Sequence, residues 1–302
     1  MKPKLIAVVG QTATGKSGLA IEIAKKFGGE VISADSRQVY KGLDLGTGKV
    51  TKKEMDGVPH YLLDVASPKQ VFSVSDFKKL AEKKIQEIIK KGKLPIICGG
   101  TGFYIHAVVD NISYPEVSPN EKLRKQLEKK SAEELFKILK KLDPRRARGI
   151  DQHNKVRLVR AIEIAKKLGA VPVVKKGKEN YEVLQIGLKL PDKILKEKIN
   201  KRLIERIKAG MLREAKNVHK KISWKRMEML GLEYKYEALY LQGKITKKEM
   251  IEQLSTEIWR YAKRQETWFK KDSRIAWFNP ASKKDLKKAD QAVKNFIKEK
   301  AG

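Results

Sequence analysis

Short apolar runs alternate with stretches of helical spacing through the first hundred residues. KLIAVV (4–9) is almost unbroken in its apolar character, the pattern of a strand buried on both faces. Leu19, Ala20, Ile23, Ala24 and Phe27 then recur at helical spacing, which predicts a helix over 16–27 with Gly28 as its stop. EVISA (30–34) predicts a second strand, 75–91 a long basic amphipathic helix ended by Gly92, and LPIICGG (94–100) a third buried strand. This alternation predicts an α/β fold built on a parallel sheet.

The pattern changes near Asn111. From 118 to 168 no strand pattern appears. Basic helices are predicted at about 120–141 and 155–168, with a turn at DPRRARG (143–149). YEVLQIGLKL (181–190) returns to a strand pattern, so a helical insertion between two strands of one core sheet is the simplest account. After Pro191, helices are predicted at about 192–219, 224–241 and 246–270, then a strand at RIAWFN (274–279) and a basic helix beyond it. The expected organisation is a first part of the core at 1–112, a basic helical insertion at 113–180, and completion of the core with helices at 181–302.

Charge adds a partner to this picture. Lys and Arg number 68 against 36 Asp and Glu, a net +32 spread along the chain. A Lys-rich surface of the kind seen in thermophiles brings matching Glu, which is missing here. A polyanion, nucleic acid above all, accounts better for the imbalance. The single cysteine, Cys98, excludes an internal disulfide, and with only four histidines a structural zinc site is not expected. LIAVV is too short for a signal peptide and no apolar stretch is long enough to span a bilayer, so a soluble cytoplasmic protein is expected, with no membrane partner.

Gly10-Gln11-Thr12-Ala13-Thr14-Gly15-Lys16-Ser17 matches G-x-x-x-x-G-K-[ST] in full, with an apolar strand running in and an amphipathic helix running out. The glycines let backbone N–H groups turn onto phosphate oxygens, the helix presents its positive end, Lys16 adds a point charge, and the Ser17 hydroxyl is a Mg²⁺ ligand. What happens to the phosphates is a separate matter. A nucleotide hydrolase has a second apolar strand ending in a Mg²⁺-holding aspartate. LPIICGG ends instead in Gly99-Gly100-Thr101-Gly102, and YLLD, ending at Asp64, is too short to substitute. The loop then holds either a phosphoryl donor, as in small-molecule kinases, or a pyrophosphate that departs.

In P-loop α/β proteins the ligand lies at the carboxyl ends of the strands. Asp35 follows the second strand and Thr101 the third, so both are expected at that crevice. Asp35 there is a candidate proton acceptor, though Asp-Ser-Arg is also good turn chemistry. For Thr101 a Gly-Gly-Thr-Gly turn without a catalytic part is the simpler reading.

GQTATGKS, ADSRQVY, PHYLLD, CGGTGFYI, KVRLVRAIE and YAKRQETWF occur in an order that resembles the tRNA dimethylallyltransferases, also called tRNA isopentenyltransferases, over about residues 4–280. The resemblance implies a P-loop NTPase-like core with a helical insertion. It also implies transfer of a dimethylallyl group from its diphosphate to the exocyclic amine of the adenine beside the anticodon. On that reading the P-loop grips a departing diphosphate with Mg²⁺, Asp35 takes a proton from the amine, Thr101 helps position diphosphate or base, and Arg202, in KINKRLIERI, reaches the diphosphate. A solvated helix face is the other reading of Arg202. The adenine must leave its stack to react.

The tRNA-contact residues implied by the resemblance are Asp35, Ser36, Arg37, Gln38, Thr101, Arg124, Lys155, Val156, Arg157, Leu158, Val159 and Arg160. Helical spacing independently puts Arg157 and Arg160 on one face, and Arg260, Lys263 and Arg264 on another beside Tyr261, Gln265 and Trp268. A core stripe with a charged outer face is an equal reading of Tyr261 and Trp268. For His60 a structural role is expected. The chain departs from the family pattern at Gln11, where proline is common, and at Tyr61, where a second histidine is. The implied partners are the tRNA anticodon stem-loop and dimethylallyl diphosphate, bound by a monomer. The rival readings are an ATP-dependent small-molecule or nucleoside kinase and an ATP-switched RNA-binding protein; the charge counts against the first and the missing switch aspartate against the second.

Overall fold

The structure is a computed structural model and describes residues 2–299. The chain divides into two compact units: one holds the chain up to Asn111 and again from Lys178, the other is Ile112–Gly177.

In the larger unit the elements run β1 (Lys4–Gly10), α1 (Lys16–Phe27), β2 (Gly29–Ser33), α2 (Lys52–Met55), β3 (His60–Tyr61), α3 (Val74–Lys90), β4 (Leu94–Gly99) and α4 (Gly102–Val109). The smaller unit contributes α5 (Glu121–Glu128), α6 (Ala132–Leu142), α7 (Pro144–Arg148) and α8 (Lys155–Leu168). The larger unit resumes with β5 (Glu182–Leu188), α9 (Asp192–Lys208), α10 (Met211–His219), α11 (Trp224–Glu228), α12 (Leu232–Leu241), α13 (Lys247–Phe269), β6 (Ile275–Phe278) and α14 (Lys283–Lys298).

Among the described residues the strands form one sheet in the order β3-β2-β4-β1-β5-β6, every pairing parallel. β1 lies inside it, pairing Ile6 with Ile96 on one side and with Leu184 on the other. Its side chains alternate between two cores. Leu5, Ala7 and Val9 pack with Phe77, Ile85 and Tyr104 of α3 and α4, while Ile6 and Val8 pack with Leu19 and Ile23 of α1 and Val293 of α14. Both faces are covered, so the strand reads as a continuous apolar run. The chain leaves β1 toward β2 and leaves β4 toward β5, in opposite directions across the sheet. That divergence opens a crevice beyond the carboxyl ends of β1 and β4, where ligands bind in open α/β sheets.

Capping chemistry breaks three helices that periodicity runs together. Ser131 begins α6 with a capping box, its Oγ accepting from Glu134 N at 3.1 Å. Gly210, at φ 107°, separates α9 from α10, and Gly231, at φ 155°, separates α11 from α12. DPRRARG is not a plain turn. Asp143 caps the short α7, accepting from Arg146 N at 2.9 Å, and Pro144 takes the first-turn position that needs no N–H. α4 carries no periodic signal because it is buried nearly all round.

The smaller unit has its own core, in which Leu135, Leu139, Leu158 and Ile162 are fully buried. Asp143 also accepts from Val171 N at 2.8 Å, which closes the segment after α8 onto the unit. No helix among the described residues is long and apolar enough to cross a membrane.

Candidate active site

The P-loop joins β1 to α1. Gly15 sits at φ 88° as the residue before the helix, with nothing within 4 Å of a notional Cβ, so glycine is required there by conformation and not by space. Ala13 shares the left-handed region at φ 61°, an unfavourable place for a residue with a Cβ and one that persists where surroundings impose it. Gln11 and Thr14 are buried beneath the loop, and Gln11 O accepts both from Thr14 Oγ1 at 2.8 Å and from Lys16 Nζ at 2.6 Å.

Above the loop lies a cavity of about 400 Å³. Thr12, Ala13, Gly15, Lys16 and Ser17 form one wall, and Asp35, Gln38 and Arg202 join them. Desolvation in this cavity lowers the Lys16 pKa to about 8; the neighbouring Cys98 and Asp35 oppose that shift and Arg202 adds to it. Arg202 is also pushed down, chiefly by burial and next by Arg206, and its Nη2 donates to Gly48 O at 3.0 Å. Neither cation has a carboxylate within salt-bridge distance among the described residues. Cys98 lies in the cavity floor with its thiol pushed up to about 11 by burial.

Asp35 stands just past β2 in a tight local turn: Oδ1 accepts from Arg37 N at 2.8 Å and Gln38 N at 3.4 Å. The turn reading of Asp35 holds, and the same residue lines the cavity. Thr101, just past β4, accepts from Ser36 N through Oγ1 at 3.0 Å, and its own N–H donates to Ala34 O at 3.2 Å. The two turns are thus joined side by side. Gly100 lines the cavity, while Thr101 stands behind it.

Sequence reasoning missed the rest of the wall: Ile21, Val31 and Val50 supply an apolar side, and Thr47, Gly48 and Glu54 a polar one. The 44–48 segment is held in place from outside. Glu214 accepts from the N–H groups of Asp44 (3.0 Å), Leu45 (2.8 Å) and Gly46 (2.8 Å), and Tyr234 donates to the same carboxylate at 2.6 Å. Arg206 donates to the carbonyls of Leu45 and Gly46. The glycines of LDLGTG were the one local signal for such a loop. His60, expected to be structural, also reaches the cavity. Its Nδ1 lies 2.8 Å from Val58 O, and desolvation lowers its pKa, which favours the neutral ring.

The other candidate contacts fall in several environments. Arg37 is exposed and donates to Met229 O at 3.2 Å. On α13 the basic face is largely spent: Arg260 pairs with Glu257 at 2.6 Å, and Lys263 with Glu266 at 2.6 Å and Asp192 at 3.2 Å. Gln265 points inward, and Trp268 packs on Phe103 with ring centroids 4.9 Å apart; Phe103 itself is 48% exposed. In the helical unit Lys155, Val156 and Arg157 are exposed. Leu158 and Val159 face that unit's own core, so helical periodicity takes them off the surface on which a contact would form. Arg124 grips the buried Glu163 through Nε and Nη2, both at 2.7 Å, with Arg160 at 3.3 Å.

Comparison with known proteins adds the following. The family model for IPP transferase matches residues 38–272. A tRNA dimethylallyltransferase 2 of Treponema denticola is 46% identical over 276 residues, 89% of this chain and 92% of the relative. A tRNA dimethylallyltransferase of Halalkalibacterium halodurans is 38% identical, covering 98% of this chain and 97% of its own. Among solved structures, the full-length tRNA isopentenylpyrophosphate transferase of Bacillus halodurans superposes with a TM-score of 0.74 at 36% identity, over 98% of this chain and 99% of that one. A eukaryotic dimethylallyltransferase acting on tRNA reaches a TM-score of 0.81 at 24% identity, over 99% and 80% of the two chains, which shows a shared fold.

Proposed function

Because this chain belongs to the IPP transferase family, alongside the tRNA dimethylallyltransferases, we propose that it moves the dimethylallyl group of dimethylallyl diphosphate onto the exocyclic N6 amine of the adenine beside the anticodon of tRNA, and releases diphosphate. Prenyl transfer to tRNA comes with the family; the division of labour among residues is our own reading. The observation that carries it is one cavity in which Lys16 and Arg202, each paired among the described residues with a carbonyl, face the Asp35 turn. Two cations desolvated without a carboxylate partner make a poor core but a good seat for a dianionic head group.

The chemistry follows from this placement. The bond from the allylic carbon to the diphosphate oxygen breaks and its electron pair leaves with the diphosphate. P-loop N–H groups, Lys16 and Arg202 meet the charge as it grows. The adenine amine forms the new N–C bond and loses a proton to the Asp35 carboxylate. Thr101 does not line the cavity; from behind Gly100 it holds the Asp35 turn through Ser36 N. Ile21, Val31 and Val50 give the five-carbon chain a dry wall.

Mg²⁺ fits these residues. Ser17, Asp35 and Glu54 bring hard oxygen donors to the cavity, and Ser17 would hold the ion. Among the described residues no group of three or more His, Cys, Asp or Glu is arranged to bind a metal, so Ser17 would hold the ion together with the bound diphosphate. The ion supplies neutralisation of the diphosphate charge.

For tRNA, Arg37 and Gln38 in the larger unit and Lys155 to Arg157 in the helical one are the contacts we favour, with Arg124 and Arg160 supporting that surface from within. We favour a monomer acting on tRNA in the cytoplasm. The test is incubation with an unmodified tRNA transcript and dimethylallyl diphosphate, with mass spectrometry of the digested nucleosides. Added five-carbon mass on adenosine is expected. Consumption of ATP without that mass supports a kinase instead.

A further inference from the structure

Gln265 lies on α13, in a stretch whose spacing sets it beside a basic face, yet only 6% of it is exposed. Its Oε1 accepts from Thr12 N at 2.7 Å, and its Nε2 donates to Gly100 O at 2.9 Å. Thr12 belongs to the loop that meets the leaving group. Gly100 immediately precedes Thr101, which holds the Asp35 turn. One side-chain amide therefore spans the two loops that carry the two halves of the reaction. A Cβ on Gly100 would lie 2.1 Å from Nε2, so the glycine is what lets the amide approach.

The far end of this tie is anchored as well. Burial raises the neighbouring Glu266 carboxyl, but hydrogen bonds from Lys263, Lys270 and Lys189 overcome that and hold its pKa at about 2. The three ammonium groups lie at 2.6, 2.8 and 2.9 Å from it. Gln11 Nε2, under the P-loop, lies 3.4 Å from the same carboxylate. α13 is pinned beneath the loop at two successive residues.

We propose that Gln265 is a positioning residue that sets the separation between the diphosphate cradle and the Asp35–Thr101 turns, an inference that rests on the function proposed above. It touches no reacting atom. It needs one acceptor and one donor at fixed distances, which only an amide, or a protonated carboxylic acid in its place, provides. It also removes the Thr12 N–H from the set available to phosphate, leaving the later N–H groups of the loop to meet the ligand.

The experiment compares Gln265→Leu and Gln265→Glu with the unaltered chain, using tRNA transcript and dimethylallyl diphosphate. In Gln265→Leu, kcat is expected to fall about 10- to 100-fold with the KM for tRNA little changed, because misplacement acts on the reacting geometry and not on RNA binding. In Gln265→Glu, kcat is expected near the unaltered value at the acid end and to fall as the new carboxyl ionises and can no longer donate to Gly100 O. That extra ionisation is absent from the unaltered profile. A leucine variant with full kcat, a loss confined to the KM for tRNA, or a Gln265→Glu profile parallel to the unaltered one each overturns the proposal. If the leucine variant does not fold, the Gln265→Glu profile decides. If the unaltered chain transfers no dimethylallyl group, it is the functional reading that has failed. Inorganic pyrophosphate binding by Gln265→Glu, followed over the same pH range, then decides the tie: a pH-dependent loss absent from the unaltered chain supports it, and parallel behaviour overturns it.

Discussion

In the helical unit the buried Glu163 is surrounded by its partners: the Arg124 guanidinium at 2.7 Å, Asn120 N at 2.9 Å and Arg160 at 3.3 Å. In the sheet unit Lys16 and Arg202 are partly buried yet, among the described residues, rest on carbonyls, Gln11 O and Gly48 O. Both arrangements place charge out of water, and they differ in whether the protein supplies the opposite charge. A buried ion that is fully paired and hydrogen-bonded is scaffold, costly to break and indifferent to ligand. A desolvated cation left beside a cavity is an unfinished contact that a ligand completes. Arginine thus occurs paired with a buried carboxylate in one unit and resting on a carbonyl in the other, and charge counts along the sequence do not separate the two.

The largest effect expected from this contrast is at the reacting group. Asp35→Ala is expected to lower transfer by about 10²- to 10⁴-fold, the worth of a positioned proton acceptor. tRNA retention on filters should stay near that of the unaltered chain. Near-normal turnover in the variant removes Asp35 from the proton-transfer role.

Next comes the paired side of the contrast. Arg124→Ala leaves the buried Glu163 with Asn120 N and the longer Arg160 contact, and is expected to cost about 3 kcal/mol, read by urea unfolding and by amide exchange in α5 and α8. Arg157→Ala, on the exposed face of the same unit, is expected to stay within about 0.5 kcal/mol. Similar losses in both would erase the distinction between scaffold and surface. Glu163 is further linked to pH. Burial raises its carboxyl, but hydrogen bonds from Arg124, Asn120 and Arg160 outweigh that, so its folded pKa lies below the ordinary value. Its stabilisation is present above that ordinary value and is lost as pH falls through the depressed one.

The unpaired side gives a binding effect. Lys16→Ala is expected to weaken diphosphate binding about 10- to 100-fold, the loss of one charge-assisted contact. In the free protein Lys16 is held at about 8, and a bound dianion raises it again. Above about pH 8 binding must therefore take up a proton, so affinity should fall as pH rises through that value. Calorimetry in buffers of different ionisation enthalpy measures the uptake; an uptake that survives in Lys16→Ala assigns it elsewhere.

The smallest effect belongs to the exposed cations. Arg157→Ala should weaken tRNA binding only a few-fold and reduce the slope of log affinity against log salt by about one. An unchanged slope takes Arg157 off the RNA surface.

Much of this protein is legible along the chain because the responsible interactions are local. GQTATGKS places a loop between a strand and a helix, α1 forms where the apolar spacing and the Gly28 stop put it, and α8 spans the basic stretch expected at 155–168. The buried strands announce themselves because each is apolar on both faces. Asp35 lines the cavity because β2 delivers its carboxyl end to that edge, whereas Thr101, expected beside it, stands behind Gly100. The splits at Ser131, Gly210 and Gly231 are local too, but a cap competes with periodicity and periodicity alone does not rank them. What the chain alone does not decide is which charges meet. Glu163 finds Arg124 across 39 residues, Glu214 finds the 44–46 backbone across about 170, and Gln265 finds Thr12 across 253. Each of those partnerships depends on desolvation and on distances of a few ångströms, which exist only once the sheet has brought distant segments together. Sequence therefore determined the class of fold and the glycine-rich loop after its first strand, while tertiary packing decided which of the many cations came to line the cavity above it.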